Sequence, residues 1–320
     1  MTRLYSSPRP ILFAVLLFMA GMSFPVCAQT RVSLALERTE FLLYEPIEAG
    51  VRIDNQSAEP LDMEHLSKGE PWLDFFIVTP ENEQIGRVEK VWKPPALSVP
   101  PGETSSVTVN LLPWFLIRDS GEYRVTAVVS IGGNRIVSRP VAFTVVNGVM
   151  IWERRFIAPP ASDDASQTPR PRHYSLLIQR RDDRQVLYVR IQNPEAGRVY
   201  CTTPVGSIVN FGEPRTRIDL RGDLHVFHQS GARLFNFTKF SPTGKLLGAR
   251  YFSNISSTPT MVAVENKETE IVGGEERFAD DDKQQDEIAA APVVRTPPNW
   301  EQKGKKKEEK KRQIILTPEF

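Results

Sequence analysis

Short runs of alternating apolar and polar residues, broken by turn chemistry at intervals of about 8 to 12 positions, fill the chain from Arg31 to Asn147. Side chains on a strand alternate between its two faces, so such a run buries one face and wets the other. Ile47, Ala49, Val51 and Ile53 share one face of Ile47–Ile53, while Glu48, Gly50 and Arg52 share the other. The same reading gives runs at Val32–Leu36, Ile47–Asn55, Trp72–Thr79, Ile85–Trp92, Ser105–Leu111, Glu122–Ile131 and Arg135–Val146. Breakers stand between them at Glu45-Pro46, Ala58-Glu59-Pro60, Pro100-Pro101-Gly102-Glu103 and Gly132-Gly133-Asn134. No segment of this half sustains a 3.6-residue apolar period, and the expectation is an all-β domain over residues 29–148.

Within it, Asp119-Ser120-Gly121-Glu122-Tyr123-Arg124-Val125 resembles the Asp-x-Gly-x-Tyr-x-Cys run that opens strand F of immunoglobulin-type domains. The resemblance implies an Ig-like β-sandwich in which the Tyr123 hydroxyl bonds back to the preceding corner and Trp72 is the core tryptophan. Val125 stands where the family has its second disulfide cysteine, a departure that sets antibody-type domains aside. Tyr44-Glu45-Pro46, a strand ending in Asn55 and Pro101-Gly102-Glu103 are also similar to the Ig-like modules of bacterial alpha-macroglobulins and proteinase inhibitors.

Residues 149–172 read as a linker, on the Pro, Ser, Asp, Gln and Arg composition between Ala158 and Arg172. Strand patterning resumes over 173–277, with runs at Tyr174–Ile178, Val186–Gln192, Val199–Thr203, Ser207–Phe211, Thr216–Leu220, Leu224–Gln229, Arg233–Phe240, Lys245–Phe252, Thr260–Glu265 and Glu268–Val272. Tight turns at Arg221-Gly222-Asp223, Ser230-Gly231-Ala232 and Ser241-Pro242-Thr243-Gly244 predict an antiparallel meander, in a small sandwich or partly open barrel. From 278 to 320 acidic, Pro-containing and Lys-rich blocks follow one another, the composition of a disordered charged tail. Within it, Ile314-Ile315-Leu316 is an apolar triplet able to add to an open sheet edge.

At the other end, Arg3 and Arg9 precede an apolar run from Ile11 to Phe24 and the small-residue exit Val26-Cys27-Ala28. This is the pattern of a secretory signal over 1–28, and the expected location is periplasmic or extracellular. No later stretch has the ~20 apolar residues of a transmembrane helix. With 40 basic residues against 39 acidic ones, no global field draws the chain to nucleic acid. A local one exists at Lys303–Arg312, whose basic residues suit weak contact with an anionic surface. Cys27 leaves with the signal, so Cys201 stays unpaired and is expected to behave as a buried small hydrophobe.

Candidate chemistry is sparse. The four histidines are His65, His173, His225 and His228. On the expected strand Leu224–Gln229, His225 and His228 fall on opposite faces, which argues against a shared metal. Asp182-Asp183 and Asp163-Asp164 lack the alternating spacing of a cation loop, and Gly132-Gly133 and Gly273-Gly274 open no phosphate-binding helix. Arg221-Gly222-Asp223 is a tripeptide that integrins read, but its composition is also what a tight hairpin requires. Asn55, Asn236 and Asn254 begin glycosylation sequons. No catalytic, cofactor-binding or metal-binding residues are assigned. The expectation is an exported, non-catalytic binding or envelope scaffold protein whose β surfaces contact a protein or envelope component. The alternatives are a proteinase inhibitor using loop Asn82–Ala96 or Leu112–Asp119, and an enzyme with an inter-domain site built on Cys201 or His225.

Overall fold

The computed structural model describes residues 30–63, 71–88, 92–159, 170–209, 212–263, 269–277 and 313–316. The signal segment, His65, the Asp163-Asp164 pair and the tail apart from Gln313–Leu316 lie outside them.

The N-terminal half supplies β1 (Arg31–Leu36), β2 (Glu40–Leu42), β3 (Glu48–Asp54), β4 (Leu61–Met63), β5 (Leu73–Val78), β6 (Leu97–Val99), β7 (Thr104–Asn110), β8 (Gly121–Ile131), β9 (Asn134–Val137) and β10 (Val141–Val146). One sheet runs β1-β3-β7, and the other β2-β10-β8-β5 with β9 hairpinned to β8; β4 and β6 form a small separate pair. The alternation read from the sequence becomes two facing apolar layers. Val51, Ile53, Val107 and Val109 from the first sheet close a shared core with Phe75, Ile77, Val125, Ala127 and Phe143 from the second. This is the Ig-like sandwich. The Tyr123 hydroxyl donates to the Asp119 carbonyl at 2.8 Å, and Trp72 is fully buried with its indole N–H on the Pro95 carbonyl. Val125 is buried in place of a cysteine, so apolar packing alone ties the sheets at that point.

Two strand expectations in this half change. Ile85–Trp92 forms no strand among its described residues, only an isolated bridge from Arg87 to Phe115, and Arg135–Val146 is interrupted by Pro140 into β9 and β10. Proline has no N–H to give a ladder.

The second half supplies β11 (Val149–Ala158), β12 (Arg170–Arg181), β13 (Arg184–Asn193), β14 (Arg198–Ser207), β15 (Arg215–Ile218), β16 (Leu224–Gln229), β17 (Leu234–Phe240), β18 (Leu246–Ser253), β19 (Thr260–Ala263), β20 (Thr269–Val272) and β21 (Glu275–Arg277). Strands β11-β12-β13-β14 make one meander and β15-β16-β17-β18 the expected second one, extended by β21. The inner faces share one core, in which Tyr174, Leu176, Leu187 and Val189 meet Leu224, Val226 and Phe240. On the outer face of the second sheet, Phe227, Phe235, Phe237 and Phe252 are covered by Met261 and Ile271 of the β19–β20 hairpin. This resolves the open choice in favour of a sandwich, here with an extra flap.

The linker reading of 149–172 is corrected. Val149–Ala158 is a full strand paired from Val149↔Ile178 to Ala158↔Arg170, and only the Pro- and Ser-rich stretch 160–169 lies outside the described residues. The exposed, charged surface of β11 hid its strand character, because an edge strand need bury little. In the expected run Ser207–Phe211, Ser207 ends β14, Ile208 and Val209 form no strand, and residues 210–211 lie outside the described ones. A final strand, β22 (Gln313–Leu316), lies parallel to β7 on its free side.

Candidate functional site

With 149–158 in a sheet, β10 passes into β11 through Asn147-Gly148, and the chain packs tightly there. A β-carbon on Gly148 would sit 2.9 Å from Leu42 Cδ1 and 3.1 Å from Leu177 Cβ, so glycine is required for close approach. Leu42 packs in turn with Leu177, Val186 and Tyr188 of the second sandwich. Beside this apolar contact lies a buried polar knot. Tyr44 takes the left-handed backbone conformation, at φ 64°, and the turn it makes folds the Glu45 carboxylate back onto the Leu42 N–H at 2.8 Å. That carboxylate is buried and meets Arg38 at 2.7 Å from its own sandwich and Arg181 at 2.9 Å from the other. The Arg181 guanidinium also donates to the Tyr188 hydroxyl, which bonds Gln179, and Gln179 donates to Glu40 at 2.7 Å. Arg190 donates to the Leu43 carbonyl at 2.6 Å and lies over the Tyr44 ring. The seam is a fixed joint, and Tyr44-Glu45-Pro46 is its centre.

Cys201 lies away from this joint, paired across the strands with Ile191 and packed against the inner core of the second sandwich. Part of the residue is exposed, but its sulfur is roofed by Gly244, where a β-carbon would come within 3.0 Å of Sγ. Burial pushes the thiol up to about 11, so it is protonated at neutral pH and a poor nucleophile. His225 is elsewhere, on the outer face of the second meander.

His225 and His228 do fall on opposite faces of β16. His228 points into the shared core with Leu224 and Val226, and its Nε2 donates to the Ser207 carbonyl at 3.1 Å. Burial lowers its pKa to about 4. His225 meets Asp219 at 3.2 Å on the other face, where Lys239 reaches Asp223 at 3.0 Å. Burial works to raise the Asp219 pKa, but hydrogen bonds from His225 and from the Asp223 and Arg221 backbone N–H groups outweigh it and hold the carboxyl below its ordinary value. Burial lowers His225 as well. This cluster shapes the β15–β16 turn: Asp219 Oδ1 accepts both the Arg221 and Asp223 N–H groups, and the Tyr174 hydroxyl holds the Gly222 carbonyl at 2.6 Å. Gly222 takes φ 83° against Ala158 and Phe156. The Arg221-Gly222-Asp223 tripeptide therefore does not display its acid, because Asp223 is buried on Lys239. His173 bonds Glu153 and Gln192 on the face of the other sheet.

The two loops suited to an inhibitor are pinned to each other. Val88 N–H donates to the Trp114 carbonyl at 3.0 Å, Leu116 N–H to Gly86 at 2.9 Å, and the Trp92 and Trp114 rings meet edge to face at 4.9 Å. Asn55 and Asn236 are buried, and the Asn55 amide donates to the Glu59 and Val99 carbonyls, so neither is open to a glycosylating enzyme in the folded chain.

What the described surface does offer is β11. Val149, Met150, Ile151 and Ile157 are 68, 52, 40 and 69% exposed on one edge strand, interrupted by Glu153, Arg154 and Arg155. Sequence reasoning missed these side chains because the segment reads as a linker; its apolar content, Val149-Met150-Ile151-Trp152 and Phe156-Ile157, was the available signal. At one end of the second sandwich, an open groove of about 620 Å³ runs between the β12–β13 turn at Arg180 to Gln185, Ser207 to Val209, and the β16–β17 turn at Ser230 to Ala232. Among the described residues no cluster of His, Cys, Asp and Glu has metal-binding geometry, and no helix is long and apolar enough to cross a membrane.

No protein-family model matches the chain, and no curated protein does. Among solved structures, it is similar to the Pseudomonas fluorescens alkylpurine DNA glycosylase AlkC bound to DNA containing an abasic site analog. That match is 18% identical with a TM-score of 0.25 and covers 37% of this chain and 30% of that one. The sporulation control protein Spo0M from Bacillus subtilis is 12% identical with a TM-score of 0.24, over 53% of this chain and 82% of that one. Likenesses this distant carry no argument about activity.

Proposed function

We propose that this is an exported, non-catalytic binding or scaffold protein of the cell envelope or its surroundings, which holds two β-sandwiches as a rigid unit and presents the β11 edge to a protein partner. The exposed apolar side chains of β11 carry the reading. Large apolar side chains gathered on one edge strand favour burial against another surface, and the arginines and glutamate among them set register and suppress wrong partners. The Glu45 joint supports it, since a binding surface held between fixed bodies loses little freedom on association. A photo-reactive side chain at position 157, introduced into the full chain in its native host, tests the proposal. A discrete cross-linked adduct that disappears in a Met150→Glu, Ile151→Glu variant is the expected result. Absence of any adduct at 157, with folding intact, retires the β11 surface as the contact, and recovery of the uncleaved chain from the cytosol retires export.

A further inference from the structure

Nine described strands edge the four main sheets once β22 is set aside: β1, β7, β2, β5, β9, β11, β14, β15 and β21. Eight of them carry at least one charged residue within the strand, the common defence against unwanted strand pairing. The exception is β7, whose sequence Thr-Ser-Ser-Val-Thr-Val-Asn has neither charge nor proline. It is seven residues long, continuously paired to β3 on one side, and offers a full row of backbone donors and acceptors on the other. That undefended edge is where the chain's own β22 lies, in register from Gln313↔Ser106 through Ile314↔Val107 and Ile315↔Thr108 to Leu316↔Val109.

We propose that the β7 edge is a strand-acceptor site and that residues 313–316 of the same chain are its resident occupant, closing the Ig-like sheet as an added strand. Backbone hydrogen bonding gives such a contact its affinity, and an uncharged apolar segment suits it. The sequence matches the role: Gln313-Ile314-Ile315-Leu316 is an uncharged run directly after the Lys-rich block 303–312. The connection is long enough. Residues 278–312 lie between β21 and β22, and a stretch of that length spans up to about 115 Å when extended, far more than the width of a sandwich. Because only four residues dock, the occupant is exchangeable, and the site it leaves accepts another extended, uncharged, apolar strand running parallel to β7. The tail thereby masks an adhesive edge until a competing strand displaces it. This site is separate from the β11 surface and stands or falls without it.

Hydrogen exchange on the full chain, compared with an Ile314→Pro, Ile315→Pro variant, tests the contact. Proline removes the N–H groups that β7 would receive, so the amides of Ser106–Val109 that point away from β3 should exchange at least tenfold faster, while those of Val51 and Ile53 on β3 stay protected. A synthetic peptide covering residues 311–318 should restore the protection in that variant, and the same peptide with Asp at positions 314 and 316 should not. A Thr108→Cys, Ile315→Cys pair, oxidised in dilute solution, should give a cross-linked monomer. Unchanged exchange at Ser106–Val109 overturns the proposal, and so does a cross-link found only between two chains, which assigns the occupant to a second copy.

Discussion

Tyr123, Glu45 and His228 show how much a single side chain can fix. The Tyr123 hydroxyl closes the corner before β8 on the Asp119 carbonyl, with its ring stacked on Phe143, so removing only the oxygen isolates the bond from the packing. Tyr123→Phe should lower stability by about 1 kcal/mol in urea denaturation, with an unchanged dependence on denaturant; a smaller change than the error of that measurement would mean the corner is held by packing alone. His228 makes a prediction about pH. Its folded pKa, about 4, lies below the ordinary histidine value, so the unfolded chain takes up the proton first as pH falls. The stability it contributes is complete above the unfolded pKa of about 6.5 and is lost progressively down to about pH 4, by roughly 3 kcal/mol at most. Lowered His225 acts in the same sense. A His228→Gln variant should flatten the fall in unfolding free energy between those limits, and an identical pH profile in variant and parent would show that His228 does not govern it.

At the scale of elements, the alternation of side chains placed most strands directly. Leu224–Gln229 is β16 to the residue, and the meander it belongs to follows from three short turns, two of which place a glycine, Gly222 and Gly244, at φ 83°. Legibility failed where an element's residues do not alternate in burial. β11 is exposed along most of its length, because it edges a sheet and, among the described residues, most of its side chains stay open to solvent, so its pattern resembles loop composition. The three-residue strands β2, β4, β6 and β21 are too short to show a period at all. Gly148 joins the two kinds of information: the sequence shows a glycine, and only the approach of Leu42 and Leu177 explains it. Gly148→Val should push these side chains apart and cost about 1–3 kcal/mol, read as a drop of several degrees in Tm. A Tm equal to the parent's would mean the joint opens without cost.

For the whole molecule, the decisive contact is the Glu45 carboxylate between Arg38 and Arg181. Glu45→Gln keeps the shape and leaves two guanidiniums without their anion, so the expected loss is about 3 kcal/mol. Calorimetry should then resolve two transitions where the parent gives one, since the sandwiches lose their main coupling while each keeps its own core. A single transition at the parent temperature would show that Leu42 and its apolar neighbours suffice to couple them. The candidate site was the least legible part of the chain for the same reason as this joint. Histidines and a cysteine draw attention in a sequence, yet here His228 is a core residue, His225 supports a turn and Cys201 is a roofed thiol, while the surfaces open to a partner are built from ordinary valines, isoleucines and serines.

The sequence by itself determined that this chain forms pleated layers and where most strands and turns fall, because those properties depend on side-chain alternation and turn chemistry within a few residues; the roles of Tyr123 and Trp72 were legible through a resemblance to immunoglobulin-type domains. Tertiary structure alone decided that 149–158 belongs to a sheet, that Glu45 faces Arg181 across 136 positions, and that 313–316 lies on β7. Backbone pairing uses the same N–H and C=O groups in every residue, so the choice of partner strand leaves little mark on either local sequence and is settled only when the edges meet.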